Sequence, residues 1–575
     1  MSATDAPQLG VADSETVRFR RGAATRRLGV DSRPLVAILV LAALLRFWQL
    51  GSSPILYFDS GAYLGEGRFL ASAAQRAADA WVHPVSGAPS NPLARVVEAV
   101  AAGTQGHPPD LAKPGHSILL AFAILALGPT TLAAGVVPAL AGLATVVLTY
   151  GIGATGWSRR VGVVAGILLA ISAEHLVYSR EPLVEATGLF FATFAGFVYL
   201  RRLVQPDRFA SAWTLLWVGC LIGLAFACNN RLLYLPIFFG VFELLVVWRD
   251  RGDRPPDVWR SLVVRSAALG AGFVLPLAIL ELAFLGAQAL AAAVGTTPGF
   301  VDYVHQFINF MRMNPASRAR LDQWPTFFAD LGLLDGLPEL AVLLLGAGVL
   351  LIRRTWSRAD VLLAASLFVP VVLFSVYSSG EVRMRNFSVA LPWAMLVAAL
   401  GLCWIAERTR WPTLVAAVGV CALGLVALPR DLAIITAPSA MSDLLETMQR
   451  DGITRVASTD GPVLSYYVGE DRTNARLRPA FINTEDDLRD IAAEYPYVEV
   501  DMQGYWTPGP VTEHAARVSP VFQAANGTDV LFLAFLLERH GIAWGDWNAL
   551  LEEWNANRGP ATVMRLYRSA DLLGA

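Results

Sequence analysis

Long apolar runs are the feature that most constrains this chain. Of its 575 residues, 55% are apolar and only 16% are Asp, Glu, Lys or Arg, whereas soluble domains carry about 25% charged residues. Eleven runs approach or reach the roughly 20 residues that span a bilayer as a helix. We therefore expect a polytopic α-helical membrane protein. The predicted spans are 34–50, 132–154, 161–178, 183–200, 212–228, 232–248, 266–290, 337–352, 360–378, 387–405 and 411–428.

One further apolar run, 117–127, is about half the required length. Runs of roughly 10 to 14 residues rarely span, so this run is expected to form an interfacial or re-entrant helix. With eleven spans, 21 of the 33 basic residues in 1–429 fall on one side, and Arg-rich loops are typical of the cytoplasmic side. We expect a multi-pass protein of the plasma (inner) membrane with a cytoplasmic N-terminus.

Charge divides the chain into three predicted parts. Residues 1–33 are polar and Arg-rich, which is typical of a flexible cytoplasmic tail, and the first span is expected to be an uncleaved anchor. Residues 34–429 form the transmembrane part. Residues 430–575 carry a net charge of −9 and are expected to form an extracytoplasmic α/β domain. Its predicted helices are 439–450, 485–494, 530–540 and 546–557, and its predicted strands are 455–459, 497–501 and 562–567.

Two outer loops, about 51–131 and 291–336, are long, and long loops in compact proteins are often functional. The second loop is amphipathic, aromatic and basic between 302 and 320. This pattern is typical of a lid that lies on the membrane. An inert surface helix explains it equally well.

The first outer loop opens with Phe58-Asp59-Ser60-Gly61-Ala62-Tyr63, directly after the first span. Asp59 has two interpretations. It is a good residue for capping the helix-like stretch that follows. Alternatively, it is a general base held at the membrane surface, where partial desolvation tunes a carboxylate for proton transfer.

Cations collect on the same predicted outer face. Lys113 is the only Lys among 45 basic residues and precedes Pro114 and the short apolar run. An interfacial Lys commonly extends its charge toward water, but a fixed ammonium beside an apolar groove also suits a lipid phosphate. Several cations with one carboxylate fit transfer from a phosphate leaving group. The other candidate cations are Arg180, Arg231, Arg383 and Arg385.

The sequence gives no firm indication of a cofactor. Five outer His residues are irregularly spaced, and the four Cys lie in apolar segments, so no metal site is predicted. No Gly-rich nucleotide fingerprint opens a helix in 430–575, and neither part of the chain has the charge of a nucleic-acid binder.

The order of these motifs resembles that of the GT-C integral-membrane glycosyltransferases, especially the branch with protein O-mannosyltransferases and lipid A aminoarabinose transferases. The resemblance covers nearly the whole chain. It rests on the acidic motif at Asp59, on Lys113-Pro114, on Tyr178-Ser179-Arg180 with Glu185, and on Arg383 or Arg385 ahead of Pro392.

The resemblance implies a GT-C fold of about eleven spans and a sugar donor linked to polyprenyl phosphate, used on the outer face. It also implies Asp59 as general base, usually with inversion at the anomeric carbon. The acceptor stays open among protein, lipid and cell-envelope glycan. Many relatives have a second acid where Ser60 stands, so a divalent metal is possible but not favoured. The implied phosphate-binding residues are Lys113, Arg180, Arg231, Arg383 and Arg385, and the implied supporting residues are Tyr63, Glu66, His116, Tyr178 and Glu185.

Two other functions compete with this interpretation. A transporter or flippase of a lipid-linked sugar would also bind such a lipid, but transporters tend to place charges near the bilayer midplane within internal repeats. Here the spans are nearly free of charge away from their ends, and we find no repeat. A membrane-anchored sensor or scaffold that uses 430–575 is the third alternative.

Overall fold

The structure is a computed structural model, and most of the chain is helical. The predicted cytoplasmic tail, apart from Arg33, lies outside the described residues, as do parts of both long loops, including Arg318 and Arg320. The described residues are 33–83, 91–103, 113–206, 211–249, 258–293, 302–313, 325–376, 383–469, 473–474, 485–506, 509–539 and 547–574.

The long apolar helices all precede residue 440, and shorter helices occur on both sides of it. Short 3₁₀ helices cover Leu50–Ser52, Asn230–Tyr234, Met384–Ala390 and Met502–Tyr505, and a π-helical turn covers Leu331–Asp335. The α-helices are α1 (Arg33–Phe47), α2 (Phe58–Val82), α3 (Pro92–Gly103), α4 (Pro114–Leu127), α5 (Thr131–Gly156), α6 (Arg159–Ala170), α7 (Ala173–Tyr178), α8 (Val184–Val204), α9 (Ala212–Cys228), α10 (Leu235–Arg249), α11 (Val258–Ala293), α12 (Tyr303–Met313), α13 (Thr326–Asp330), α14 (Leu337–Ile352), α15 (Arg358–Val376), α16 (Leu391–Glu407), α17 (Pro412–Ile435), α18 (Met441–Arg450), α19 (Gly461–Val468), α20 (Glu485–Glu494), α21 (Pro510–Ala515), α22 (Asp529–Arg539), α23 (Trp547–Ala561) and α24 (Ser569–Leu573).

Eight helical segments of the described chain are long and apolar enough to cross a membrane. Each coincides with one of the eleven predicted spans, so the prediction of a multi-pass helical membrane protein is confirmed. The eight segments are Arg33–Ser52, Thr131–Gly156, Val184–Val204, Asn230–Trp248, Trp259–Ala293, Arg358–Val376, Met384–Glu407 and Pro412–Ile435.

Each of the other three predicted spans forms either a shorter helix or two helices instead of one long helix. The runs 212–228 and 337–352 form α9 and α14, which are 17 and 16 residues long. The run 161–178 is divided between α6 and α7 because Ser172 interrupts it. The Ser172 hydroxyl accepts a hydrogen bond from the His175 amide at 3.3 Å and donates to Asp335 at 2.9 Å, and a Ser at this position starts a new helix.

The short run forms α4, a helix of 14 residues with Pro114 in its first turn. At 1.5 Å per residue it is about 21 Å long, less than a hydrocarbon core of about 30 Å. Its length agrees with the predicted non-spanning helix. The helix ends at Gly128, whose φ of 71° favours glycine.

Residues after 440 contain a five-stranded sheet. The strands are β1 (Val456–Ser458), β2 (Thr473–Asn474), β3 (Tyr497–Val500), β4 (Phe522–Ala525) and β5 (Val563–Arg568). Their order is β2-β1-β3-β5-β4; β1 is parallel to β2 and β3, and β5 is antiparallel to β3 and β4. The three predicted strands are present as β1, β3 and β5. Two strands were not predicted from the sequence: β2, which has only two residues, and the half-buried β4.

The sheet-bearing segment packs directly against the start of α2. The amide of Phe58 donates to Gln503 Oε1 at 3.2 Å, and Arg68 Nη1 donates to the carbonyl oxygen of Tyr466 at 2.6 Å. Next to Asp59, an ideal Cβ on Gly61 would lie 2.3 Å from the backbone nitrogen of Val463. Only glycine therefore permits this approach of α2 and α19, which fixes the first turn of α2.

Replacing Gly61 by Ala is expected to lower the free energy of unfolding by about 1–3 kcal/mol, because the new methyl group overpacks this contact. Gly240→Ala in α10 is the matched control, since no atom lies within 4 Å of its ideal Cβ, and it should not destabilise the protein. Thermal unfolding in detergent, followed by tryptophan fluorescence, measures both effects. A Gly61→Ala midpoint equal to that of the wild type would contradict the close packing.

The predicted lid region is described only in part, as α12. Val304, Ile308 and Met311 are exposed and, at spacings of four and three residues, share one face of this helix. An exposed apolar face of this kind suits a helix that lies on a membrane. Lid movement stays a prediction.

Candidate functional site

Asp59 lies in the first turn of α2, and its side chain is 40% exposed. The residue before the helix is Tyr57, and no side chain caps the helix there, so the capping interpretation of Asp59 is wrong. Instead, Asp59 Oδ2 accepts a hydrogen bond from Arg385 Nη1 at 2.6 Å. A carboxylate in a first turn is also favoured by the helix dipole.

Arg385 connects Asp59 to a second acid. It lies in the 3₁₀ segment before α16 and is 4% exposed. Its Nε donates to Glu538 Oε2 at 2.5 Å, and its backbone amide donates to Glu538 Oε1 at 2.7 Å. The hydroxyl of Tyr178 also donates to Glu538 Oε1. Glu538 belongs to α22, so the segment after residue 440 supplies a residue to this cluster.

Lys113 lies immediately before α4 and is 7% exposed. Its ammonium donates a hydrogen bond to the hydroxyl of Tyr63, one turn along α2 from Asp59. Burial and the repulsion of Arg231 lower the pKa of Lys113 to about 8, although Asp59 and Glu185 raise it in part. The only lysine of the chain is thus buried within the electrostatic reach of the carboxylate.

Arg231 forms a second ion pair, 2.7 Å from Nη1 to Glu185 Oε1. The Glu185 side chain is fully buried in the first turn of α8, whereas the Arg231 side chain is 27% exposed. Arg383 lies two residues before Arg385, with its guanidinium 5.3 Å from the centroid of the Trp506 ring. Arg231 adds positive charge near Lys113, and Arg383 adds it near Asp59.

The charges around Asp59 determine its ionisation. Burial alone raises the pKa of Asp59, but the positive charges of Arg385 and Lys113 and the Arg385 hydrogen bond outweigh it. The pKa of Asp59 therefore lies well below its ordinary value. Burial raises the pKa of nearby Glu181, which accepts from Ser60 at 3.2 Å, to about 8. At neutral pH Asp59 is ionised, while Glu181 is mainly protonated.

Arg180 contributes differently from the other predicted cations. Its Nη1 donates to carbonyl oxygens at the end of α1: Leu45 at 3.3 Å, Arg46 at 3.0 Å and Trp48 at 3.0 Å. These contacts satisfy carbonyls that a helix end leaves without partners. Shared sidedness alone could not separate this structural contact from phosphate binding, and we leave Arg180 out of the proposed phosphate site.

The predicted supporting residues hold these elements together. The rings of His116 and Tyr63 are 5.6 Å apart, and His116 contacts Thr187 Oγ1 at 3.1 Å and the Pro182 carbonyl oxygen at 3.2 Å. Ser117 donates to Glu66, which joins α4 to α2. These contacts fix Lys113 relative to α2 and α8.

Within the described ranges, no group of three or more His, Cys, Asp or Glu residues is arranged to hold a metal ion. The sequence did not predict two site residues from the segment after residue 440. Gln503 accepts from the Phe58 amide at the start of α2, and Glu538 accepts from Arg385. The available signal for Glu538 was an acid at the end of the otherwise apolar stretch of α22, where burial of a carboxylate requires a partner.

The chain is similar to known proteins in sequence and in fold. Residues 107–279 match the family described as dolichyl-phosphate-mannose-protein mannosyltransferase. The comparison with curated protein sequences gave no match. The crystal structure of ArnT from Cupriavidus metallidurans in the apo state aligns with a TM-score of 0.52 at 12% identity, over 86% of this chain and 96% of ArnT.

Two further solved structures align with lower TM-scores. ArnT from Cupriavidus metallidurans bound to undecaprenyl phosphate gives 0.46 at 14% identity, over 92% of this chain and 88% of ArnT. Archaeal oligosaccharyltransferase AglB from Archaeoglobus fulgidus, in complex with an inhibitory peptide and a dolichol-phosphate, gives 0.47 at 12% identity, over 82% of this chain and 70% of AglB. The family match and the apo ArnT match support the resemblance to the GT-C membrane glycosyltransferases and the predicted helical membrane fold. The separate C-terminal domain stays a prediction.

Proposed function

We propose that this protein is a glycosyltransferase that moves a sugar from a polyprenyl-phosphate-linked donor to an acceptor on the outer face of the membrane. The acceptor class is a protein, lipid or cell-envelope glycan. The observation that carries the proposal is the partly exposed Asp59 carboxylate beside Arg385 and Lys113. The description of the family that matches residues 107–279 names a sugar linked to dolichyl phosphate. This match supports a donor of the same class here.

The proposed reaction is a single displacement. An acceptor hydroxyl attacks the anomeric carbon, the bond from that carbon to the phosphate oxygen breaks, and the electron pair leaves with the polyprenyl phosphate. Asp59 takes the acceptor proton. Attack from the face opposite the phosphate inverts the anomeric carbon.

The cations stabilise the leaving group. Lys113, Arg231, Arg383 and Arg385 surround the place where phosphate charge increases as the bond breaks, and such preorganised charges favour the transition state. The donor phosphate also brings a negative charge beside Asp59 and competes for Arg385 and Lys113. Both effects raise the pKa of Asp59 from its low value in the free protein, so donor binding makes the carboxylate a better base.

The proposed orientation places this site outside the cytoplasm. It rests on the 21 of 33 basic residues in 1–429 that the eleven-span arrangement assigns to the opposite side. The site lies where the start of α2, the Lys113 segment and the Arg385 segment meet the sheet-bearing residues. Residues 430–575 are then extracytoplasmic.

The proposal is tested by supplying synthetic polyprenyl phosphate sugars to the purified protein in lipid nanodiscs, together with peptide, lipid and glycan acceptors. We expect polyprenyl phosphate to be released in equal amount to new glycosidic bonds. In proteoliposomes, movement of labelled lipid-linked sugar across the bilayer without any bond formation would contradict the proposal and favour a flippase.

The low pKa of Lys113 predicts a basic limb in the pH profile. The ammonium is charged below about pH 8 and neutral above it, so kcat/KM for the donor, which reports the free enzyme, should fall as the pH rises through 8. A guanidinium stays charged in this range, so Lys113→Arg should move the limb to higher pH. A limb at the same pH in both proteins would contradict this role for Lys113.

A further inference from the structure

We propose that Glu538 is a positioning residue for the glycosyl transfer: it holds Arg385 in the orientation that serves Asp59. The inference rests on the proposed function and assigns a role in that reaction to the segment after residue 440. It starts from a fully buried carboxylate whose two oxygens both accept from Arg385.

Three donors fix Glu538. Oε1 accepts from the backbone amide of Arg385 at 2.7 Å and from the hydroxyl of Tyr178, and Oε2 accepts from Arg385 Nε at 2.5 Å. The carboxylate thus binds both the backbone and the side chain of one arginine. Such a pair of contacts sets the position of the residue and the direction of its guanidinium.

The direction matters because Arg385 has two carboxylate partners. Its Nε edge faces Glu538 while its Nη1 donates to Asp59 Oδ2. Without Glu538, the guanidinium would be free to turn and bind Asp59 through two nitrogens, as arginine commonly binds a carboxylate. That arrangement would occupy the base and remove the cation from its place beside the phosphate.

Other charged and titratable groups face Glu538 from neighbouring elements. They include Glu174 and Tyr178 of α7, Asp330 of α13, and Tyr57 and Arg383. Burial raises the pKa of Asp330 well above its ordinary value, and the nearby charge of Glu538 adds to this effect. Neither the Glu174 nor the Asp330 carboxyl group has a hydrogen-bond partner among the described residues, so neither replaces Glu538 as the second partner of Arg385.

The contact also gives the segment after residue 440 a catalytic purpose. Glu538 lies on α22, and Gln503 of the same segment accepts from the amide of Phe58, next to Asp59. Both ends of the Asp59–Arg385 pair are therefore held by this segment. On this proposal it completes the site rather than serving only as an acceptor-binding or assembly module.

A double-mutant cycle in the full-length protein tests the role. Glu538→Gln and Arg385→Lys are each expected to lower kcat by about 10- to 100-fold. The kcat of the double variant should be within about threefold of that of the less active single variant, because the effects of residues that act through one another are not additive. A double variant whose loss equals the product of the single losses would overturn the proposal. So would a Glu538→Gln rate within threefold of the wild type.

Glu553→Gln is the matched control, because it removes a carboxylate that pairs with an arginine, Arg539, in the same segment. It is expected to keep the wild-type kcat. If Glu538→Gln is not recovered as a monodisperse protein, Glu538→Asp takes its place in the cycle with the same expectation of non-additivity. Absence of transfer by the wild type would contradict the proposed function itself, whereas an active wild type with additive losses would contradict only the role of Glu538.

Discussion

Asp59→Asn is expected to lower kcat for sugar transfer by about 10³-fold, within the range for loss of a general base. The amide has nearly the shape of the carboxylate, and its oxygen can still accept from Arg385 Nη1, which is 2.6 Å from Asp59 Oδ2 in the wild type. It cannot take the acceptor proton. The KM for the donor should change much less than kcat, because the phosphate-binding cations remain.

Asp79→Asn provides the control for this substitution. Asp79 lies on the same helix, α2, but near its far end and exposed, so the variant should keep the wild-type rate. Both proteins are compared by steady-state transfer in nanodiscs after equal recovery as monodisperse protein. An Asp59→Asn rate close to that of the wild type would remove Asp59 from the mechanism.

The sequence alone could predict the membrane-spanning regions because their signal is local. A run of about 20 apolar residues has few alternatives to a bilayer helix, and eight such predictions coincide with helical segments long and apolar enough to cross a membrane. The division between α6 and α7 was missed because it depends on Ser172, whose hydroxyl bonds to Asp335, far away in the chain. Hydropathy does not report such a contact.

The candidate site was predictable only in part for the same reason. Asp59 and Lys113 stood out against a charge-poor background, and the structure brings both into one cluster with Arg385. Arg180 was grouped with them by sidedness, yet its side chain holds the end of α1. Glu538 was not predicted, because its only signal is burial at a contact between segments 153 residues apart.

Arg385→Ala is expected to have the largest combined effect on activity and stability. The substitution removes the cation beside Asp59 and the phosphate, so kcat should fall by about 10²- to 10³-fold. It also leaves the fully buried Glu538 with Tyr178 as its remaining side-chain donor among the described residues. Breaking a buried ion pair in this way lowers the free energy of unfolding by about 3–5 kcal/mol.

Arg353→Ala is the control, because it removes an ion pair outside the candidate site. Arg353 Nη1 lies 2.6 Å from Asp360 Oδ1, the same length as the Arg385–Asp59 pair, but its side chain is 33% exposed. The predicted eleven-span arrangement assigns Arg353 to the side of the membrane opposite the candidate site. The more exposed pair should contribute about 1 kcal/mol or less, and transfer should be unchanged. Unfolding in detergent with increasing denaturant measures both variants.

The double variant Arg385→Ala/Glu538→Gln then tests the cause of the instability. If the loss in Arg385→Ala arises from an uncompensated buried charge, removing that charge should restore part of the free energy of unfolding. Activity should not return, since the cation beside Asp59 is still missing. A double variant less stable than Arg385→Ala would show that Glu538 stabilises the protein through other contacts, and it would contradict the ion pair as the main link between α22 and the Arg385 segment.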